Sequence, residues 1–146
     1  MSLIKNSKAY HDYDILETFE AGIVLTGSEV KSIRNQSANL SGSFVKIYNN
    51  NAVLENMHIG IFKPAGPDQH IPDRNRSLLL HKKQIEKLVK ATEEDGKTII
   101  PLEVYTSGKL IKIKIAIAKG RKKYEKREIM KNRDVDREIQ RAMKRH

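Results

Sequence analysis

The stretch KLIKIKIAIA, residues 109–118, alternates strictly between two kinds of side chain. Isoleucine occupies every second position from residue 111 to residue 117, and lysine or alanine occupies the positions between. A period of two is typical of a β-strand with one buried face. The segment TSG, residues 106–108, joins this strand to a second β-rich run at residues 98–105. The two runs therefore predict an antiparallel hairpin.

The β pattern continues upstream of this hairpin. Residues 44–48 and 52–57 flank three asparagines, which tolerate the positive φ of a tight turn, and so predict a second hairpin. Residues 13–25 predict a first strand pair, bent near Ala21 and Gly22 because glycine relieves strain at a bulge. Strands and helices do not alternate in βαβ order. We therefore predict a mainly β fold with short helices, an OB-like antiparallel β-barrel of about six strands.

Two helices and one long loop are predicted between the strands. In residues 81–95, side chains recur at the i, i+3, i+4 and i+7 spacing of one helix face, and Gly96 follows as a stop. These side chains are Ile85, Leu88, Val89 and Thr92. A second, shorter helix is predicted over residues 28–34. Residues 63–76 hold three of the four prolines and predict a long loop.

The positive charge of the chain is concentrated at its C-terminal end. Of the net charge of +10, seven charges lie in residues 119–146, which hold twelve Lys or Arg, five Asp or Glu and one aromatic residue, Tyr124. The preceding residues are nearly balanced. A basic tail of this kind favours a polyanionic partner, most often nucleic acid. We therefore divide the chain into a barrel, residues 1–118, and a basic C-terminal tail, residues 119–146.

Arginine recurs at every fourth position within the tail, at Arg133, Arg137, Arg141 and Arg145. On a helix these four side chains form one cationic stripe. Repulsion between like charges four residues apart disfavours a lone helix of this length in water. We predict a tail that is disordered or helical, depending on whether bound phosphates neutralise the stripe.

The composition argues against several classes of protein. The chain has no cysteine, which excludes disulfides, thiolate metal sites and a cysteine nucleophile and agrees with a reducing compartment. No apolar run approaches the roughly 20 residues of a membrane span, and the first residues lack a signal peptide. No HExxH, GxSxG or GxxxxGK[ST] spacing is present. We expect a cytoplasmic monomer with no membrane partner, no catalytic residues, no metal site and no cofactor.

Five ordered strings lie along the sequence: KAYHDY at residues 8–13, FEAGI at 19–23, GSEVKS at 27–32, RSLLLH at 76–81 and AKGRK at 118–122. Together they resemble the SsrA-binding protein (small protein B) family. The resemblance implies a bacterial RNA-binding protein with an OB-like barrel that binds the tRNA-like domain of transfer-messenger RNA (SsrA RNA). It further implies delivery of this RNA to stalled ribosomes for trans-translation, with elongation factor Tu as a partner by way of the RNA and no bond made by the protein.

Eight residues are expected at or near the RNA, the first five from the family's motifs and the others from their basic side chains. They are Asn6, Lys8, His11, Glu20, Lys31, Arg34, Arg76 and Lys119. Lysine and arginine suit phosphates, whereas Glu20 must accept hydrogen bonds from base amino groups or a 2′-OH. The alternative for Glu20 is a surface acid that balances a neighbouring lysine.

In the family the tail enters the ribosomal decoding site and the empty mRNA channel, where it becomes helical. The residues expected there are Arg121, Lys122, Tyr124, Glu125, Lys126, Arg127, Arg133, Arg137 and Arg141. Tyr124 can stack on a ribosomal base, the alternative being a ring packed back on the barrel. Glu125 departs from the family's Asp by one methylene group and keeps its charge.

Without the resemblance, three classes of function stay open: an RNA binder acting on ribosomes, a structural ribosomal or assembly protein, and a nuclease. A ribosomal protein would remain with the subunits through high-salt washing, whereas a rescue factor would dissociate as counterions compete for phosphates. A nuclease would cleave the RNA it binds. The absence of an acid/base or metal constellation in the sequence weighs against the nuclease.

Overall fold

The computed structural model describes residues 2–94 and 96–121. Within these ranges the chain forms nine β-strands, three α-helices and one 3-10 helix. In chain order they are β1 Ser2–Lys5, α1 Ser7–Asp12, β2 Tyr13–Ile23, α2 Gly27–Arg34, β3 Ala38–Asn39, β4 Phe44–Tyr48, β5 Asn51–Glu55, β6 His58–Ile59, the 3-10 helix Lys63–Asp68, β7 Arg76–Leu79, α3 Lys82–Thr92, β8 Lys97–Ser107 and β9 Leu110–Gly120. The predictions for the tail from Lys122 onward lie outside the described residues.

Six of the strands close into a barrel. Their neighbour order is β8-β4-β5-β7-β2-β9, and β9 pairs back with β8, every pair being antiparallel. Strand β1 adds to the outer side of β8, and β3 and β6 form a separate short pair. Closure removes the free edges that a small open sheet would expose. The prediction of a mainly β fold with a six-stranded OB-like barrel is confirmed.

The hairpin of β8 and β9 is the longest pairing in the barrel and follows the alternating pattern. Ile113, Ile115 and Ile117 are buried in the main core. Ala116 and Ala118 lie on the opposite face and are also buried, in a second cluster that includes Ala9 of α1. The turn begins two residues later than predicted, at Gly108 and Lys109, because β8 continues to Ser107 and Gly108 supplies the positive φ of 61°.

The hairpin of β4 and β5 confirms the turn predicted from the three asparagines. Asn49 and Asn50 form a two-residue turn with φ values of 47° and 64°, and Asn51 already belongs to β5. Positive φ at both central positions is the requirement of the tight turn whose twist matches that of the flanking strands.

The first predicted strand pair is wrong, because residues 13–23 of the predicted range 13–25 form one continuous strand, β2, rather than a hairpin. Its register shift lies between Ile15 and Glu17, not near Gly22. Gly22 instead pairs with both β7 and β9, and a Cβ there would lie 3.2 Å from the Cβ of Leu79. Glycine at this position therefore favours the close approach of the strands and does not mark a turn.

Helix α3 follows the prediction except at its last turn. His81 is the N-cap, and Leu88 and Ala91 are the buried residues, whereas Thr92 is exposed. Helix α1 was not predicted, because its six residues contain one buried side chain, Ala9, and so show no periodic apolar face.

Candidate nucleic-acid interface

Glu20 lies on the outer face of the barrel, where side chains from β9 and from β8 beyond it contact its carboxylate. The hydroxyl of Tyr105 on β8 donates a hydrogen bond to Oε2 of Glu20, and Nζ of Lys112 on β9 lies 3.1 Å from Oε1. The hydrogen bond from Tyr105 has the larger effect and that from Lys112 the smaller, and both lower the pKa of Glu20. The carboxylate is therefore anionic at neutral pH, and its neighbouring lysine fits the charge-balancing alternative as well as a role at the RNA.

A cleft of about 630 Å³ opens beside Glu20. Leu79 and Leu110 line it and are 64% and 63% exposed, so two large apolar side chains face solvent in the same cleft. Lys112, His81 and Gln84 contribute polar groups to the same cleft. An apolar wall with a few polar groups on its rim is a surface on which an unstacked base can lie.

The sequence predictions did not include Tyr105, Leu79 or Leu110 at this site. A signal for Leu79 is present in the run Leu78–Leu80, because successive side chains of a strand point to opposite faces. Leu78 is buried in the core, so Leu79 must face outward. No comparable signal exists for Tyr105, which is 85 residues from Glu20 in the chain.

Helix α1 and the end of β9 bring a second set of predicted residues together. Lys8 and His11 are exposed on α1, and Lys119 is exposed on β9, where it pairs in register with Asp14. Nε of Arg121 lies 3.0 Å from Oδ1 of Asp14, and its Nη1 donates to the carbonyl of His11 at 3.4 Å. The basic end of β9 is thereby fixed beside α1.

Lys31 and Arg34 are both exposed on α2. Nζ of Lys31 lies 5.4 Å from the centre of the Phe62 ring, within the range of a cation–π contact. Nη2 of Arg34 lies 3.4 Å from the carbonyl of Lys109 in the β8–β9 turn. Since Leu110 follows that turn and lines the cleft, Arg34 lies at the same end of the barrel as the cleft.

Arg76 corrects the prediction of an RNA contact, because its side chain is fully buried. Its Nε donates to Oε2 of Glu29 at 2.7 Å, its Nη1 to the carbonyl of Met57 at 2.5 Å and its Nη2 to the carbonyl of Pro72 at 2.9 Å. A guanidinium with these partners and no exposed surface stabilises the fold rather than contacting a ligand.

Glu29 is the acid at the centre of this buried network and is itself inaccessible to solvent. Nη2 of Arg74 lies 2.5 Å from its Oε1, and the amide of Thr26 donates to the same oxygen at 2.8 Å. Burial alone would raise the pKa of Glu29, but the hydrogen bonds from Arg74, Thr26 and Arg76 outweigh it and lower the pKa to about 2. The predicted loop over residues 63–76 therefore ends in a fixed ion pair.

Asn6 also differs from its predicted role. Its side chain is 6% exposed, and its Nδ2 donates to the carbonyl of Pro101 at 2.9 Å. Asn6 therefore fastens the junction of β1 and α1 to β8 and holds the helix that carries Lys8 and His11. The remaining predicted tail residues, Lys122, Tyr124, Glu125, Lys126, Arg127, Arg133, Arg137 and Arg141, lie outside the described residues.

The described residues, 2–94 and 96–121, contain neither a metal-binding group of side chains nor a membrane-spanning helix. In these ranges, no three or more His, Asp or Glu side chains are grouped so as to hold a metal ion. No helix among them has the length and apolar character that a membrane crossing needs.

Known proteins resemble this chain over almost its whole length. The family model described as "SmpB protein" matches residues 3–145. The SsrA-binding protein of Persephonella marina is 55% identical over 139 residues, which cover 95% of this chain and 91% of that protein. The SsrA-binding protein of Geobacillus kaustophilus is 47% identical over 142 residues, or 97% and 92% of the two chains.

The fold also matches a solved structure described as "tmRNA-SmpB: a journey to the center of the bacterial ribosome". The TM-score is 0.71 and the sequence identity is 38%. The match covers 86% of this chain and 88% of that chain.

Proposed function

The chain belongs to the SmpB family, and from this membership we propose that it binds the tRNA-like domain of transfer-messenger RNA and delivers this RNA to stalled ribosomes for trans-translation. The observation that carries the proposal is the match to the family over residues 3–145, with SsrA-binding proteins 47% and 55% identical. The protein makes no bond in this process, because its contribution is to bind and position RNA.

The barrel divides the work of RNA binding between two kinds of group. Exposed cations on α1, on α2 and at the end of β9 neutralise phosphates and set the orientation of the RNA, since phosphate contacts position a complex without reading it. These cations are Lys8, His11 when protonated, Lys31, Arg34 and Lys119. Glu20 repels phosphates and accepts hydrogen bonds, so it distinguishes one RNA shape from another.

The basic tail acts on the ribosome rather than on transfer-messenger RNA. Its Arg stripe neutralises rRNA phosphates along the mRNA channel when no mRNA occupies it, and Tyr124 stacks on a base of the decoding site. Elongation factor Tu joins the complex through the RNA. The protein works as a monomer in the bacterial cytoplasm, where the ribosomes are.

Lys31→Ala is expected to weaken binding to the tRNA-like domain several-fold and to lower the slope of log affinity against log salt by about one, because one phosphate contact is lost. Titration at several salt concentrations measures both quantities. Lys46→Ala is the matched control, since Nζ of Lys46 lies 5.5 Å from the Phe44 ring, as Lys31 lies over Phe62, but on strand β4. Equal slopes for both variants would contradict a phosphate role for Lys31.

Glu20→Gln is expected to weaken binding to the tRNA-like domain about tenfold or more, because a hydrogen bond to a charged acceptor is worth about twice a neutral one. Binding to plain duplex RNA should not fall. Glu55→Gln is the matched control, since Oε1 of Glu55 accepts a hydrogen bond of 2.8 Å from the Tyr48 hydroxyl on the exposed β4–β5 hairpin. An unchanged affinity in Glu20→Gln would remove Glu20 from RNA recognition.

A further inference from the structure

We propose that Tyr105 is a positioning residue for RNA recognition, whose hydroxyl holds the Glu20 carboxylate in the orientation that selects the tRNA-like domain over other RNA. This inference rests on the proposed function and names a residue that acts through Glu20 rather than by contact with phosphates. The RNA group that this carboxylate would take is a hydrogen-bond donor, a base amino group or a ribose 2′-OH.

The contact spans three strands of the barrel. Tyr105 on β8 lies opposite Lys112 on β9, and Glu20 on β2 lies opposite Lys114 on β9. The side chain of Tyr105 therefore crosses the whole of β9, about 10 Å between the outer backbones, to reach Glu20. Because this reach depends on the register of both pairings, the contact is set by the barrel and not by a local turn.

Tyr105 is not part of the packed core. It belongs to neither buried apolar cluster that the described residues form, and its hydrogen bond to Glu20 lies at the surface. Partial burial and the bond to Glu20 raise the pKa of Tyr105, while that bond and Lys112 lower the pKa of Glu20. At neutral pH the hydroxyl thus remains a donor and the carboxylate an acceptor.

The arrangement fixes Glu20 before any RNA arrives. A free glutamate side chain has three rotatable bonds and loses that freedom on binding, which weakens affinity. Here Tyr105 occupies one lone-pair direction of Oε2 and Lys112 one of Oε1, and each carboxylate oxygen can accept a further hydrogen bond. The open acceptor directions are therefore fixed in space. A correctly placed RNA donor can therefore hydrogen-bond to the two ordered carboxylate oxygens of Glu20. A phosphate in the same place would be repelled by the negative charge of Glu20.

The test compares Tyr105→Phe with Tyr48→Phe in the full-length chain. Both substitutions keep the ring and remove a hydroxyl that donates to a glutamate, but Tyr48 lies on the β4–β5 hairpin. Affinity is measured at physiological salt for the tRNA-like domain, elongator tRNA and plain duplex RNA. We expect Tyr105→Phe to lose about tenfold for the tRNA-like domain alone, with an unchanged salt slope, and Tyr48→Phe to bind as the parent does.

A double variant separates positioning from structural damage. If Tyr105 acts through Glu20, Tyr105→Phe should cause no further loss in a Glu20→Gln background, apart from a few tenths of a log unit. Equal loss for all three RNAs, additive losses in the double variant, or a Tyr105→Phe chain as selective as its parent would overturn the inference. A parent chain without preference for the tRNA-like domain would overturn the proposed function as well, so the two failures differ.

Discussion

A chain that ends at Arg121 is expected to bind the tRNA-like domain with an affinity within a few-fold of the full-length chain and to lose at least about a hundredfold of its activity in tagging stalled nascent peptides. Binding survives because Arg121 keeps its contacts with Asp14 and His11, and the barrel keeps all the described residues. Tagging fails because the tail's contacts with ribosomal phosphates and bases are all removed together. A stacked base alone is worth about 1–3 kcal/mol. RNA titration and a reconstituted tagging assay measure the two quantities.

A full-length variant that lacks only the charge stripe separates the effect of the tail's charge from that of its length. It replaces Arg133, Arg137, Arg141 and Arg145 with glutamine. The same separation is expected, with RNA binding retained and tagging strongly reduced. Parallel loss of RNA binding and tagging in the truncated chain would contradict a division of labour between barrel and tail.

Glu29→Gln is expected to lower the free energy of unfolding by about 3–5 kcal/mol, because it leaves the guanidinium of Arg76 buried without its counter-charge. Nε of Arg76 lies 2.7 Å from Glu29, and both side chains are inaccessible to solvent. Denaturant unfolding measures the change. The exposed acid Glu55, replaced with glutamine, should change the free energy of unfolding by less than about 0.5 kcal/mol. A loss below about 1 kcal/mol in Glu29→Gln would contradict the central role of this ion pair.

The pH dependence of stability tests the contribution of the Glu29 carboxylate a second way. In the folded chain the pKa of Glu29 is about 2, below the ordinary value of 4.5, so its contribution is complete above pH 4.5 and is lost as the pH falls toward 2. That contribution is roughly 3 kcal/mol for a shift of this size. The difference in unfolding free energy between parent and Glu29→Gln should therefore be constant from pH 6 to 8 and shrink below pH 4.5.

Most of the barrel could be predicted from local sequence patterns. The elements that differ from the prediction depend on contacts between distant residues or are too short to show a pattern. The isoleucine alternation in β9 and the asparagine turn between β4 and β5 each contain their own signal. The continuity of β2 does not, because Gly22 reads locally as a break and is explained only by its approach to Leu79 on β7. Helix α1 is too short to carry a period.

The candidate site could be predicted in part. The family's motifs identify Lys8 and Glu20, but the partners that hold Glu20 come from two other strands. The basic side chain of Arg76 predicts an RNA contact, although the residue lies two positions before the buried Leu78 and so on the same inward face of β7. Its counter-ion, Glu29, is 47 residues away, and no local pattern in the sequence joins them.

Selective RNA binding distinguishes a protein that recognises the tRNA-like domain from one that only attracts phosphates. The full-length chain is titrated with the tRNA-like domain of transfer-messenger RNA, with elongator tRNA and with a plain RNA duplex, at low and at physiological salt. We predict that all three bind at low salt, and that only the tRNA-like domain stays tightly bound at physiological salt, because phosphate contacts weaken while the contacts of Glu20 remain. Equal binding to all three, lost together as salt rises, would contradict specific recognition of the tRNA-like domain and leave only a basic protein that associates with ribosomes.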